Sequence, residues 1–243
     1  MRRIFIGDVQ GCADELDELL GKLGIASGDS VFFVGDLVNR GPASLRALRL
    51  ARSVAKGIVL GNHEARLLRQ GFFDATAPIS YPGLADLAEA PDRQELGSWI
   101  RSWPLLLYLD DICLVHAALP PSLWRAEDPL AFKAWEARPL GAEEHPDDEE
   151  AFLLTARYAS PDGKRPPEDH PDPGAPFLPW DCYYRGAPTV VFGHWARRKL
   201  VLGERIRGLD TGCVYGGSLS AWIAEEDRVL QVIARRAYYP PHP

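Results

Sequence analysis

The chain has no run of about 18 apolar residues, the length a membrane-spanning helix needs. Its first residues pass from Arg2 and Arg3 straight into Ile4, Phe5 and Ile6, which sets the expectation that no secretory leader is present. Only four cysteines occur, Cys12, Cys113, Cys182 and Cys213, and no two of them form a C-x-x-C pair. That spacing suggests neither a structural zinc site nor a disulfide framework and fits a reducing compartment, so the expected setting is cytoplasmic. An excess of positive charge is missing as well: 27 Lys and Arg against 34 Asp and Glu give a net charge of −7. Non-specific attraction to nucleic acid or to anionic membrane is therefore not expected. A polyanionic ligand would have to be gripped by local arginines or by metal ions.

What is present reads as α/β. The 243 residues are 46% hydrophobic and 25% charged, enough for one sizeable core, and a single domain over residues 1–243 is expected. The first third repeats one unit three times. Residues 3–6 form an apolar run that leads to GDVQG and a helix over 13–23. Residues 31–34 lead to GDLVNRG and a helix opening near Pro42, a residue suited to a first helical turn. Residues 57–60 lead to GNHEARLL, helical from Glu64 onward. Such spacing predicts βαβ units and a largely parallel inner sheet. Ligands of such sheets collect beyond the carboxyl ends of the strands, where all three loops fall.

Beyond a helix around 92–101, strands are expected at 105–109 and 112–115, the second ending at His116. Residues 120–181 are rich in proline and acids, with EEHPDDEE and EDHPDPGAP, and read as surface excursions forming a cap or loop insertion. A strand at 189–192 then runs into Gly193 and His194. Strands at 199–202, 205–208, 219–224 and 229–234 read as a meander that forms a second sheet.

Five strand ends carry side chains with chemistry: Asp8 with Gln10, Asp36, Asn62 with His63, His116, and His194. Glycine directly precedes Asp8, Asp36, Asn62 and His194, which lets the backbone turn tightly and a ligand approach. Asn39 and Asn62, the chain's two asparagines, both lie in these loops. Carboxylate, amide oxygen and imidazole without cysteine suit manganese, iron(II) or cobalt better than structural zinc. Two such ions about 3.5–4 Å apart, sharing one carboxylate, would clamp a phosphoryl group and activate water for in-line attack. Each residue alone has a plainer reading. Asp8 or Asp36 would serve as a helix cap or turn former, Asn62 as a left-handed turn residue, and His116 as a core histidine. Together, all at strand ends, they favour the ligand reading. His145, His170 and His242 are expected to be solvated, and Trp99, Trp103 and Trp135 to pack in the core.

In chain order, GDVQG, GDLVNRG, GNHE, VHA and FGHW resemble the metallophosphoesterase signature of the phosphoprotein-phosphatase superfamily. Within it, GDVQGC, GDLVNRGPASL, LGNHEARLL, EAPDRQEL, LVHAAL, VFGHW and GLDTGCVYGG resemble the symmetrical diadenosine tetraphosphatases. The match leaves out residues 120–180. Each motif is weak alone; five in register with strand ends form a strong signal. The resemblance implies a four-layer sandwich, two facing mixed β-sheets flanked by helices. It implies one divalent ion held by Asp8, Gln10 and Asp36, and a second held by Asp36, Asn62, His116 and His194. His63 would be the general acid and Arg40 a phosphate clamp with its planar fork, Arg185 being a second clamp candidate. Asn39, Asp210 and Tyr215 would stand behind the ligands. Manganese is the expected metal, with cobalt, iron(II) and magnesium as alternatives. The implied reaction splits diadenosine tetraphosphate into two ADP, and dinucleotide-capped RNA 5′ ends are a further expected substrate through the same linkage.

Two positions depart from the wider superfamily. Gln10 stands where histidine is usual and offers a carbonyl oxygen in place of a ring nitrogen. Asn39 stands where protein phosphatases carry aspartate. An amide can hydrogen-bond to His63 but cannot stabilise its imidazolium with a full charge. A weaker acid matters little for a nucleoside diphosphate leaving group, whose terminal phosphate loses its last proton near pKa ~6. It matters far more for a serine alkoxide. A phosphoprotein phosphatase is thus the less favoured alternative, and a weakly catalytic nucleotide-binding module the third.

Overall fold

The computed structural model describes residues 1–74, 83–141, 148–169 and 172–240. His145, His170 and His242, together with most of the EEHPDDEE run, lie outside the described residues. Three strands, β1 (Arg3–Ile6), β2 (Ser30–Phe33) and β3 (Ala55–Ile58), alternate with helices α1 (Ala13–Leu23), α2 (Ser44–Val54) and α3 (Asn62–Arg69). The short α4 (Ala85–Ala88) and α5 (Arg93–Arg101) precede the antiparallel pair β4 (Leu106–Tyr108) and β5 (Ile112–Val115). Helices α6 (Pro129–Glu136) and α7 (Asp148–Thr155) and the ribbon β6 (Tyr158–Ala159) with β7 (Leu178–Pro179) follow. The chain closes with β8 (Thr189–Phe192), β9 (Val201–Gly203), β10 (Ile206–Gly208), β11 (Ser218–Ile223) and β12 (Arg228–Ile233).

Two five-stranded sheets result, in the orders β12-β11-β1-β2-β3 and β4-β5-β8-β10-β9. The inner strands β1, β2 and β3 are parallel, as are β5, β8 and β10, and the outer pairings are antiparallel. Successive strand side chains point to opposite faces, and here each face is covered. Phe5 and Phe32 of one sheet share a buried cluster with Ile112, Leu114 and Val191 of the other. Their neighbours Ile4, Ile6, Val31, Phe33, Cys113, Val115, Val190 and Phe192 face the helices in a second cluster. Strands covered on both faces read as unbroken apolar runs, which is why VFF, ICLV and TVVF show no alternation. The four layers of the expected sandwich follow from this split.

Phe5 stacks on Phe32 at 5.2 Å between centroids and meets Trp222 at 5.5 Å, at the centre of the inter-sheet layer. Truncation of Phe5 to alanine is expected to cost about 3–5 kcal/mol of unfolding free energy, read as a shift in urea midpoint with unchanged slope.

The tail differs from the expected meander. β9 and β10 do join the second sheet, but β11 and β12 return to the first, β11 pairing antiparallel with β1 so that Trp222 lies opposite Phe5. Residues 120–181 also differ from surface excursions: Trp124, Phe132, Phe152, Leu153 and Trp180 from this stretch are buried in the main core. β3 ends before Leu60, whose N–H donates to the Pro104 carbonyl at 2.8 Å. Of the tryptophans, Trp103 is buried and packs edge-on against half-buried Trp99 at 4.9 Å, and half-buried Trp135 carries the Arg138 guanidinium over its ring.

Candidate active site

The carboxyl ends of β1, β2, β3, β5 and β8 deliver the sequence-predicted side chains to one place. Asp8, Asp36 and His116 offer ligand atoms that all lie within 4.8 Å of one another, and all three residues are buried. Neither aspartate caps a helix, since Cys12 and Ala43 occupy the cap positions of α1 and α2. Asn62 is the first residue of α3, after Gly61, and not a left-handed turn residue. The left-handed region holds other members of the site instead: Gln10, Asp36, Asn39, Arg40 and His194 have φ of 45°, 48°, 78°, 65° and 66°. Strained backbone of this kind persists only where surrounding contacts enforce it.

Those contacts can be traced. Asp36 Oδ1 accepts the His63 N–H at 3.0 Å, and Gln10 Nε2 donates to Asp36 Oδ2 at 3.4 Å. The His194 N–H donates to Asp8 Oδ1 at 3.1 Å and Oδ2 at 3.2 Å. A side chain at Gly193 would collide with that same Asp8 oxygen. Gly193→Ala is therefore expected to push Asp8 aside and to lower kcat/KM about 100-fold, the scale set by small misplacements of reacting groups. Circular dichroism of the variant should match the wild type.

The imidazoles carry the clearest chemical message. His116 Nδ1 lies 2.7 Å from the Val34 carbonyl and His194 Nε2 lies 3.0 Å from the Thr155 carbonyl. A carbonyl only accepts, so each ring spends its proton there and turns a bare nitrogen inward. Both bare nitrogens, His116 Nε2 and His194 Nδ1, stand 3.0 Å from one atom, Asn62 Oδ1. Asp36 Oδ1 is 3.5 Å from the same His116 nitrogen. Burial holds both rings below the ordinary imidazole value, and Arg157 adds to the effect at His194, so neither is disposed to protonate. Lone pairs that converge without a proton between them are a donor set that could hold a cation.

The acids agree. Burial, then the charges of Asp210 and Asp36, push Asp8 well above the usual carboxylate range. Burial raises Asp210 to about 7 and, helped by Asp36, raises Glu64 to about 8. Burial opposes ionisation of Asp36 too, but the His63 ring and the His63 N–H hold it below its ordinary value. Four acids crowded out of water in this way are relieved by positive charge placed among them.

Glu64 is the member that motif reading missed as a separate part. Its carboxylate accepts the N–H groups of Asp36, Leu37 and Val38 at 3.0, 2.8 and 3.1 Å, fixing the loop that presents Asp36. The signal was an acid in the first turn of a helix that faces a GD loop. Arg40 donates to the Tyr215 hydroxyl and lies 5.6 Å from the centroids of both Tyr215 and Tyr239. Asp210 is buried and accepts the Gly212 N–H at 3.0 Å. The expected bond between Asn39 and His63 is not made. Asn39, turned by its positive φ, gives its Oδ1 to the Arg40 N–H at 2.8 Å, and His63 Nδ1 faces the Val38 carbonyl at 3.0 Å. Arg185 is exposed; its described hydrogen bonds run to Tyr184 and Trp124, and none reaches the cluster. The fold also joins two cysteines that the sequence keeps apart: Cys12 and Cys213 meet Glu15 with ligand atoms within 4.8 Å.

Two facing mixed sheets, with acids, an amide and imidazoles converging at their strand ends, define a phosphoesterase of the metal-using class. The chain belongs to the calcineurin-like phosphoesterase family, whose sequence profile matches residues 1–198. It is 36% identical over 269 aligned residues to the symmetrical bis(5′-nucleosyl)-tetraphosphatase of Aromatoleum aromaticum, covering 94% of this chain and 96% of that protein. The enzyme of the same name from Vibrio parahaemolyticus is 33% identical, over 95% of this chain and 97% of its own. A crystal structure described as that of a candidate diadenosine tetraphosphatase superposes with a TM-score of 0.71 at 30% identity, covering 96% of this chain and 93% of the other. A protein serine/threonine phosphatase from Saccharomyces cerevisiae shares the fold at a TM-score of 0.59 and 14% identity, over 100% of this chain and 81% of its own. Family membership implies divalent metal ions. Among the described residues no helix is long and apolar enough to cross a membrane.

Proposed function

We propose that this chain hydrolyses dinucleoside tetraphosphates symmetrically, releasing two nucleoside diphosphates, with diadenosine tetraphosphate as the preferred substrate and ADP as the product. Its likeness to relatives named for that activity supports the reading. The observation that carries it is the convergence of His116 Nε2 and His194 Nδ1 on Asn62 Oδ1, with Asp36 Oδ1 3.5 Å from that His116 nitrogen. Asp8, Gln10 and Asp36 would hold one divalent ion, and Asp36, Asn62, His116 and His194 a second. Bound there, such a pair supplies an activated water and neutralises phosphate charge. Manganese suits the oxygen-rich first set and the mixed second set.

The chain's own residues do the rest. Arg40, braced between Tyr215 and Tyr239, presents guanidinium N–H groups to non-bridging phosphate oxygens. His63 Nδ1 is spent on the Val38 carbonyl at 3.0 Å, so its Nε2 is the atom that delivers a proton to the departing diphosphate oxygen. Asp36 Oδ2, 3.7 Å from that nitrogen, steadies the charged ring. Asn39 cannot add charge to His63, and the short bond it makes to Arg40 N keeps it away from the ring. That arrangement suits a good leaving group and weighs against a phosphoprotein substrate. RNA 5′ ends capped through the same phosphoanhydride fit the same chemistry, and free thiols fit the reducing cytoplasm.

The test is to incubate the protein with manganese and diadenosine tetraphosphate and to separate the products by chromatography. ADP as sole product is expected. AMP with ATP would overturn symmetric cleavage, and an inert tetraphosphate beside a rapidly cleaved phosphopeptide would overturn the substrate class.

A further inference from the structure

A cleft of about 490 Å³ shares Asn62 and His194 with the cluster and is otherwise lined by the segment that follows α7, including Arg157, Arg165, Glu168 and Asp169. The Thr155 carbonyl that accepts from His194 Nε2 at 3.0 Å brings this segment against the site, two residues before Arg157. Its volume suits a nucleotide-sized ligand, since ligand pockets run from roughly 300 to 1,000 Å³. Apart from the effect of Arg157 on His194, these four charged residues have no part in the chemistry described so far.

Their types match the parts of a ribonucleotide. Arg157 is balanced by Asp169 at 3.0 Å, and among the described residues Arg165 Nη2 reaches the exposed Asp148 at 3.2 Å. Arg165 Nε is buried and has no hydrogen-bond partner among the described residues. A buried N–H left without an acceptor costs free energy until an acceptor arrives, and planar guanidinium N–H groups suit phosphate oxygens best. Glu168 and Asp169 would repel a bare polyphosphate, but a carboxylate is the common acceptor for the hydroxyls of a ribose. Tyr158, held edge-on against Trp195 at 4.8 Å, and Pro167 add flat apolar faces for a base.

We propose that this cleft seats one nucleoside diphosphate half of the substrate, its phosphates on Arg157 and Arg165, its ribose on Glu168 or Asp169, and its base against Tyr158 and Pro167. The proposal rests on the dinucleoside tetraphosphate activity proposed above. It assigns residues 155–169 the task of recognising a nucleotide, which separates this substrate from a simple phosphate ester presented to the same reacting groups.

The experiment measures kcat/KM of the manganese-loaded protein for diadenosine tetraphosphate and for p-nitrophenyl phosphate, which is too short to fill the cleft. In Arg157→Ala and Arg165→Gln the ratio of the two values is expected to fall about 10- to 100-fold, the worth of one charge-assisted bond. Arg157→Lys should restore part of it. ADP should inhibit both truncated variants about tenfold more weakly than it inhibits wild type. A ratio and an ADP inhibition constant unchanged in both variants would overturn the cleft while leaving the activity in place. A wild-type protein that cleaves the monoester and ignores the tetraphosphate would overturn both proposals.

Discussion

Exchanging His63 for asparagine is expected to lower kcat on diadenosine tetraphosphate by about 10²- to 10⁴-fold, the usual contribution of a positioned general acid. Manganese content should stay at the wild-type level, because the bare nitrogens that face Asn62 belong to His116 and His194. His63 is held differently. Its ring nitrogen Nδ1 faces Val38 O, and its backbone N–H binds Asp36 Oδ1 at 3.0 Å. The loss should fall on kcat with KM little changed, since no ground-state phosphate contact is removed. It should also be smaller for the tetraphosphate than for a phosphoserine peptide, whose alkoxide needs a proton more. Steady-state kinetics on both substrates checks the order, and an equal loss on both would remove His63 from the role of acid.

Asp36→Asn should be more severe still. One carboxylate links Gln10, His63 and His116, and it does so from a left-handed backbone position, φ 48°, that Glu64 enforces through three N–H groups. Removal of its charge takes a shared ligand from both proposed ions at once. Activity should fall by more than about 10³-fold, and excess manganese should not restore it. Asn62→Ala strips a single oxygen from one ion only, so partial rescue by excess manganese is expected there. Rates measured across a manganese titration separate the two variants.

How much of this was legible in the sequence depended on range. Strand ends that carry GD, GN and GH pairs could be read because strand, loop and helix are contiguous, and the order of apolar and polar residues fixes them. The destination of β11 could not be read. A strand's period of two tells which residues share a face but not which sheet receives it, and the pairing of Phe5 with Trp222 spans nearly the whole chain. Residues 120–181 misled through composition: proline and acid on the outside hid Phe132, Phe152 and Trp180 within. Arg157 and Arg165 carried no motif, and their segment is tied to the site by contacts the sequence does not show, the Thr155 carbonyl against His194 and Tyr158 against Trp195. Asn39 misled by analogy with the aspartate of protein phosphatases: here the backbone has a φ of 78° and the amide oxygen accepts from Arg40 N.

Metal-free protein titrated with manganese, with bound ions counted by calorimetry and by loss of the free-ion paramagnetic signal, bears most directly on the shared carboxylate. Two ions per wild-type chain are expected, with neither retained tightly after Asp36→Asn. Undiminished stoichiometry in that variant would contradict a centre built on Asp36.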